Sequence, residues 1–451
     1  MKTPVFTRAR GEVVGCSIGL ALAAGILASC GHGRTESACE EQYGVGETTT
    51  PRTGVVRAGF QVSQPPEWVA TEAPLLTDHV QVTSRQRFVR AGESYFNADA
   101  SWIIFQAVPV PADAGQDPSP FYAMYVARLV RDGSGRIVGT DEPFEVSPPR
   151  SANTCGWFHP TEPGRILYAS TIGEPAGDER AGFQVGTNRY RWAFPAEMEI
   201  VTQVVRPMVL TFDAATRAMC GTDYLASPVF SREGYDAECS YDASGRFILY
   251  ANVDPAKTSP GGRADADIFI FDTRTGRHHT IVEAPGYDGG PFFSPDGRSI
   301  CYRSDRAGND LLQIFIADLR FEKGPDGVPI PVGIEREYQV TDNKAVNWAP
   351  YWHPSGRYLV YGTSEVGHTN YEVFAVEIDR DLLARGRASD LRRRRLTHAA
   401  GADVLPVFSH DGSLMMWTSQ RGPTVEGEER SSSQVWIARW SGSPLDREWR
   451  E

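Results

Sequence analysis

The chain has 451 residues, 41% hydrophobic and 11% aromatic, which is enough apolar material for a large core and too much for a disordered chain. Its formal net charge is −12, and a broadly acidic surface disfavours nucleic acid and anionic lipid as partners. The 44 glycines and 31 prolines point to many turns and few long helices.

Residues 1–29 read as an export signal. Lys2, Arg8 and Arg10 form a basic start, and residues 13–29 (VVGCSIGLALAAGILAS) are an apolar run too short for a comfortable membrane span. Leu27, Ala28 and Ser29 lead into Cys30. That pattern resembles the bacterial lipobox, in which the cysteine takes a diacylglyceryl thioether and becomes the new N-terminus. Gly31 follows where an aspartate would signal inner-membrane retention; by analogy with Gram-negative sorting, this points to the outer membrane. Residues 30–74, which include EEQYGVGETTTPRTG, read as a flexible tether. Export leaves Cys39, Cys155, Cys220, Cys239 and Cys301 in a disulfide-permissive compartment. Five is odd, so at least one stays free, and the pairing is open. No CxxC occurs, so neither a zinc nor a thioredoxin-like site is expected.

From residue 94 onward one pattern recurs. It reads SYFNADASWIIF (94–105), WFHPTEPGRILY (157–168), CSYDASGRFILY (239–250), PFFSPDGRSICY (291–302), PYWHPSGRYLVY (350–361) and PVFSHDGSLMMW (406–417). Each copy is a strand, a tight turn and a second strand of alternating apolar residues. Five copies carry a turn glycine, at Gly164, Gly245, Gly297, Gly356 and Gly412, where a positive φ is needed. Third strands follow in DIFIFD (267–272), QIFIADL (313–319), YEVFAVEI (371–378) and QVWIARW (434–440), and fourth strands in EYQVTD (337–342) and RRLTH (394–398). The basic run at 392–395 reads as a solvated loop entering such a strand. The expected fold is all-β: a six-bladed propeller of four-stranded antiparallel blades over residues 75–445. The last copy lacks a fourth strand, and DHVQVTS (78–84) is expected to supply it, closing the ring with an N-terminal strand.

The FSPDGR…YRSDR.G stretch resembles the PD40 (WD40-like) repeat of TolB-type six-bladed propellers, over about residues 75–440. The copies TCGWFHPTEPGRILYAST, GYDAECSYDASGRFILYANVD and GYDGGPFFSPDGRSICYRSD are similar to an exported bacterial subgroup labelled Tol-like biopolymer transporters. TolB-type chains carry an α/β domain before the propeller. Residues 30–77 are too few and too polar for it.

Chemistry is sparse. The G-x-S-x-G at Gly15–Gly19 lies in the signal, outside the strand–turn–helix context a nucleophile needs. There is no HExxH and no P-loop. His159, His353 and His410 fall at the repeat turn. One constellation recurs: Asp236, Asp288, Asn347 and Asp403 each stand three residues before a repeat. In a propeller these would ring one channel mouth. Such a ring suits a cation, with Ca²⁺ a candidate cofactor, or a basic peptide arm; capping of each local loop is the competing role. Tyr287 and Trp348 stand beside the ring with Tyr235 and Glu238, and Arg306, His368 and Arg421 are placed with Asn309 and Glu365 on loops of the same face. The expected function is a non-enzymatic binding module, anchored in the envelope through lipid on Cys30, contacting an envelope protein or peptide and no nucleic acid. The alternatives are a metal-dependent esterase or lactonase using the acidic ring, and a glycan-binding module.

Overall fold

The computed structural model describes residues 66–113, 115–176, 182–184, 189–191, 194–209, 225–257, 264–442, 445, 448 and 449. The export signal, Cys30, Cys39, Cys220 and most of the tether lie outside the described residues. Six antiparallel sheets of four or five strands follow one another along the chain, with a small two-stranded hairpin, Gly182–Gln184 with Arg189–Arg191, beside them in sequence. Their inner strands are Phe88–Phe96, Asn153–Phe158, Tyr235–Tyr241, Asp288–Phe293, Asn347–Trp352 and Asp403–Phe408, numbered here as blades 1 to 6. Each inner strand packs on the next, and the sixth packs on the first. The ring is therefore a six-bladed β-propeller, as the repeats predict. Five blades have four strands; in blade 1 the third strand Ala123–Arg131 pairs with two short segments, Ile137–Thr140 and Phe144–Glu145.

The turns confirm why the repeat keeps its glycine. Gly164, Gly245, Gly297, Gly356 and Gly412 all adopt φ between 68° and 79°. In blade 1, which lacks the glycine, Ala100 takes φ 52° instead, and the Asn97 side chain braces the turn by accepting from the amides of Ser101 and Trp102. Within the blades, second and third strands set aromatic residues opposite each other: Phe105 and Tyr125, Tyr250 and Phe269, Tyr302 and Phe315, Tyr361 and Phe374, Trp417 and Trp436. In blades 3 to 6 an arginine lies over this pair, namely Arg232, Arg306, Arg393 and Arg421, so cation–π attraction adds to the cross-strand contact. The thiols of Cys155, Cys239 and Cys301 are free and buried.

Blade 6 closes as expected. Strand Leu76–Gln81 pairs antiparallel with Gln434–Trp440, Leu76 opposite Trp440 and Val80 opposite Ile437. The strand starts two residues before the predicted segment, and its pairing is offset at Asp78 and His79, where Asp78 has φ 53°. Residues 67–72, assigned to the tether from sequence, instead form a helix, Glu67–Glu72. What orders this segment is charge. Glu72 is 2% exposed; its carboxylate accepts from Arg421 at 2.9 and 3.2 Å and from the His398 amide at 2.6 Å, and contacts His79 Nε2 at 2.9 Å. Arg421 also donates to Asp403 at 2.7 Å, and its guanidinium lies 4.3 Å from the Trp68 ring centroid. Burial pushes the Glu72 carboxyl up, but the His79 hydrogen bond and the Arg421 charge outweigh it and hold it below the ordinary range.

Removing one member of a buried ion cluster strands the others without a partner. Glu72→Ala should therefore cost about 3 kcal/mol in chemical denaturation, whereas Glu67→Ala at the exposed helix start should cost under about 0.5 kcal/mol. Equal effects would show that the helix does not lock the ring.

Candidate functional site

Every inner strand carries the same irregularity. Its pairing with the second strand slips between Gly92 and Ser94, Thr154 and Trp157, Ala237 and Ser240, Gly289 and Phe292, Trp348 and Tyr351, and Val404 and Val407. Within each slip one residue has a positive φ: Glu93 43°, Cys155 56°, Glu238 58°, Gly290 58°, Ala349 52° and Leu405 55°. A bulge of this kind bends the strand and re-aims a side chain. These six residues, one from each blade, line a single cavity of about 20 Å³, which holds about one water molecule. Six strands contributing one residue each to one cavity places it on the propeller axis.

Aromatic rings floor this well. Tyr95 of blade 1 lies 5.8 Å from Phe292 of blade 4, centroid to centroid. Trp157 sits 4.9 Å from Tyr95 and 5.6 Å from Phe292, and Tyr351 sits 5.1 Å from Phe292. Blades 1 and 4 face each other across a six-membered ring, so their contact blocks the channel. The well is blind.

Its walls carry charge. Glu238 accepts hydrogen bonds from the Tyr287 hydroxyl and the Gly290 amide, and from Arg303 at 3.3 Å. Arg303 also donates to the Tyr287 hydroxyl at 2.7 Å and lies 5.9 Å from the Trp348 ring centroid. A Cβ on Gly290 would collide with the Arg303 guanidinium, so a larger residue here would displace Arg303 from its present place. Glu93 accepts from the Cys155 thiol at 3.1 Å and the Thr154 hydroxyl at 3.2 Å. Burial pushes its carboxyl up, the thiol hydrogen bond opposes that, and the nearby Glu238 charge pushes it up further. Phe194 reaches in from the blade 2 loop, 5.0 Å from Tyr235 and 5.8 Å from Tyr287.

The predicted acidic ring does not form this site. Each member stands at the start of its inner strand; Asp236, Asp288 and Asp403 are bound within their own blades, and Asn347 also reaches blade 4. Asp236 accepts from Asn252 at 2.9 Å, Asp288 from Arg306 at 2.9 Å, and Asp403 from Arg421 and from the Trp417 indole at 3.1 Å. Asn347 accepts from the Thr363 hydroxyl at 2.8 Å and donates to Asn343 and Gln313. The partners of the three aspartates sit on, or just after, the second strand, so these residues tie the strand entry to the adjoining loop, while Asn347 also ties blade 5 to Gln313 of blade 4. Among the described residues no three carboxylate, thiol or imidazole side chains are arranged to hold a metal ion, so the calcium reading of the ring has no ligand set there. Arg306 is shared between Asp288 and Glu337, and Arg421 is consumed in the ring closure. His368 is exposed on its loop, 6.2 Å from Tyr371. Of the residues named from sequence, only Tyr287 and Trp348 come to the axis, with Glu238. Glu93, Cys155 and Arg303 were not foreseen; the signal was the repeat position two residues after the polar ring.

The ring carboxylates still have a measurable signature. Burial raises Asp236 to about 7 against the Arg232 charge, and Asp288 to about 6 against its hydrogen bonds and Arg306. A carboxyl raised on folding holds its proton better folded than unfolded. Its contribution is therefore present at about pH 4 and lost as pH rises toward 7. Asp236→Asn should flatten the fall in unfolding free energy between pH 5 and pH 8, measured by denaturant titration. An unchanged slope would show that Asp236 is not a buried titrating group.

No protein-family model matches the sequence. Over 161 residues, 35% of this chain, it is 30% identical to the Tol-Pal system protein TolB of Wolinella succinogenes, of which it covers 32%. Over 84 residues, 18% of this chain, it is 39% identical to dipeptidyl-peptidase 5 of Porphyromonas gingivalis, of which it covers 12%. The chain thus spans about a third or less of the length of these two curated relatives. Among solved structures, TolB from Acinetobacter baumannii superimposes with a TM-score of 0.41 at 15% identity, over 80% of this chain and 65% of that one. By its closed ring of blades the chain is a six-bladed β-propeller, similar over 161 residues to a Tol-Pal system protein TolB.

Proposed function

We propose that this propeller is a non-enzymatic binding module of the cell envelope, and that it takes a segment of a partner protein at the axial well. The observation that carries the reading is the blind well itself. It is lined by Glu93, Glu238 and Arg303 and floored by Tyr95 and Phe292. A closed channel suits the reception of an inserted group, not passage. Polar groups that fix orientation on an apolar floor are the usual composition of a recognition site. The loops after the second strands surround this mouth, because the end of each second strand pairs with the start of the inner strand, as Ser304 does with Asp288 and Thr363 with Asn347. The likeness to a Tol-Pal system protein supports an envelope partner. The N-terminal sequence supports the placement: Leu27, Ala28 and Ser29 before Cys30 fit lipid attachment, and Gly31 fits the periplasmic face of the outer membrane.

Two experiments test this. A photo-crosslinking residue at Asn309 or His368, exposed on the well's face, should give protein adducts in intact cells, while one at Ser355, exposed at the opposite turn, should not. Equal labelling from both faces, or none, contradicts the reading. Cys30→Ala should move the protein out of the membrane fraction; retention after a carbonate wash contradicts lipid anchoring.

A further inference from the structure

The axial well carries unbalanced charge. Glu93 and Glu238 face it together with one cation, Arg303. Glu238 has the Arg303 guanidinium, the Tyr287 hydroxyl and the Gly290 amide as donors. Glu93 has two neutral donors, the Cys155 thiol and the Thr154 hydroxyl, and among the described residues it makes no ion pair. Burial and the Glu238 charge oppose its ionisation more than the Cys155 hydrogen bond and the Arg303 charge favour it, and a cation brought directly beside it would shift that balance.

Size and lining narrow the cation. The cavity of about 20 Å³ accepts one water-sized group. An ammonium group has that size; a planar guanidinium is larger, and Arg303 already forms one wall. Around it, Ala349 and Leu405 give apolar wall, which suits the methylene next to a lysine ammonium, and the Tyr95 and Phe292 rings below suit a cation. We propose that the well is a receptor for one ammonium group, carried on a lysine side chain that a partner inserts along the axis, with Glu93 as its counter-ion. This rests on the mouth-face binding reading above.

The test supplies the ammonium in two ways. Leu405 is half-buried, lines the well and belongs to the blade beside Glu93. Leu405→Lys should melt within about 2 °C of wild type, and the same change in a Glu93→Gln background at least about 6 °C lower. An equal penalty in both backgrounds overturns the proposal. In solution, the acetylated and amidated pentapeptide Gly-Gly-Lys-Gly-Gly should bind in calorimetry, and either Glu93→Gln or acetylation of the lysine should weaken it at least about tenfold. Absence of peptide binding overturns the proposal. Ammonium chloride that protects as well as the peptide would assign the well to a free monovalent cation and overturn the partner lysine. A Glu93→Gln protein that still crosslinks to its partner from Asn309 or His368 would remove the lysine receptor and leave mouth-face binding in place.

Discussion

One backbone constraint organises this molecule: a residue with positive φ at the same place in every inner strand. For a residue with a Cβ this conformation costs roughly 1–2 kcal/mol, and five of the six are not glycine. The surrounding blade must therefore impose it, since a local preference would choose otherwise. The result is geometric. Each bulge turns one residue toward the axis, and the six meet in one well. Because the residue types differ from blade to blade, the same backbone device yields an asymmetric site with carboxylates from blades 1 and 3, a thiol from blade 2 and a bare glycine from blade 4.

That glycine shows how the site is balanced. Space at Gly290 admits the guanidinium of Arg303 from the neighbouring second strand, and Arg303 reaches across to Glu238 of blade 3. The charge on blade 3 is thereby compensated from blade 4, while Glu93 across the well is left with neutral donors. The Glu72, Arg421 and Asp403 cluster that locks the N-terminal helix to the last blade instead sets charge directly against charge.

Much of the fold was legible because it repeats. The strand, turn and strand pattern recurs with its glycine, and the missing fourth strand of the last copy pointed to the N-terminal segment that fills it. The short helix Glu67–Glu72 was hidden because six polar and apolar residues show no helical period; a distant arginine orders it. The site was half legible. Repeat alignment found a polar position common to the blades, but chose Asp236, Asp288, Asn347 and Asp403, which hydrogen-bond at the strand entries. The ring that faces the axis lies two residues further on. Regular alternation would give Asp236 and Glu238 the same outlook, and only the bulge, which leaves no composition signal at Cys155, Ala349 or Leu405, separates them.

The central claim is that the propeller channel ends in a closed, charged well. A crystal structure of the full chain, at a resolution that orders water, tests it most directly. The account predicts the Tyr95 and Phe292 rings in contact across the axis, with Glu93, Cys155 and Glu238 above them around density for a single water or ammonium-sized group. A continuous solvent tunnel along the axis, or a Glu93 side chain turned away from the well, would contradict it.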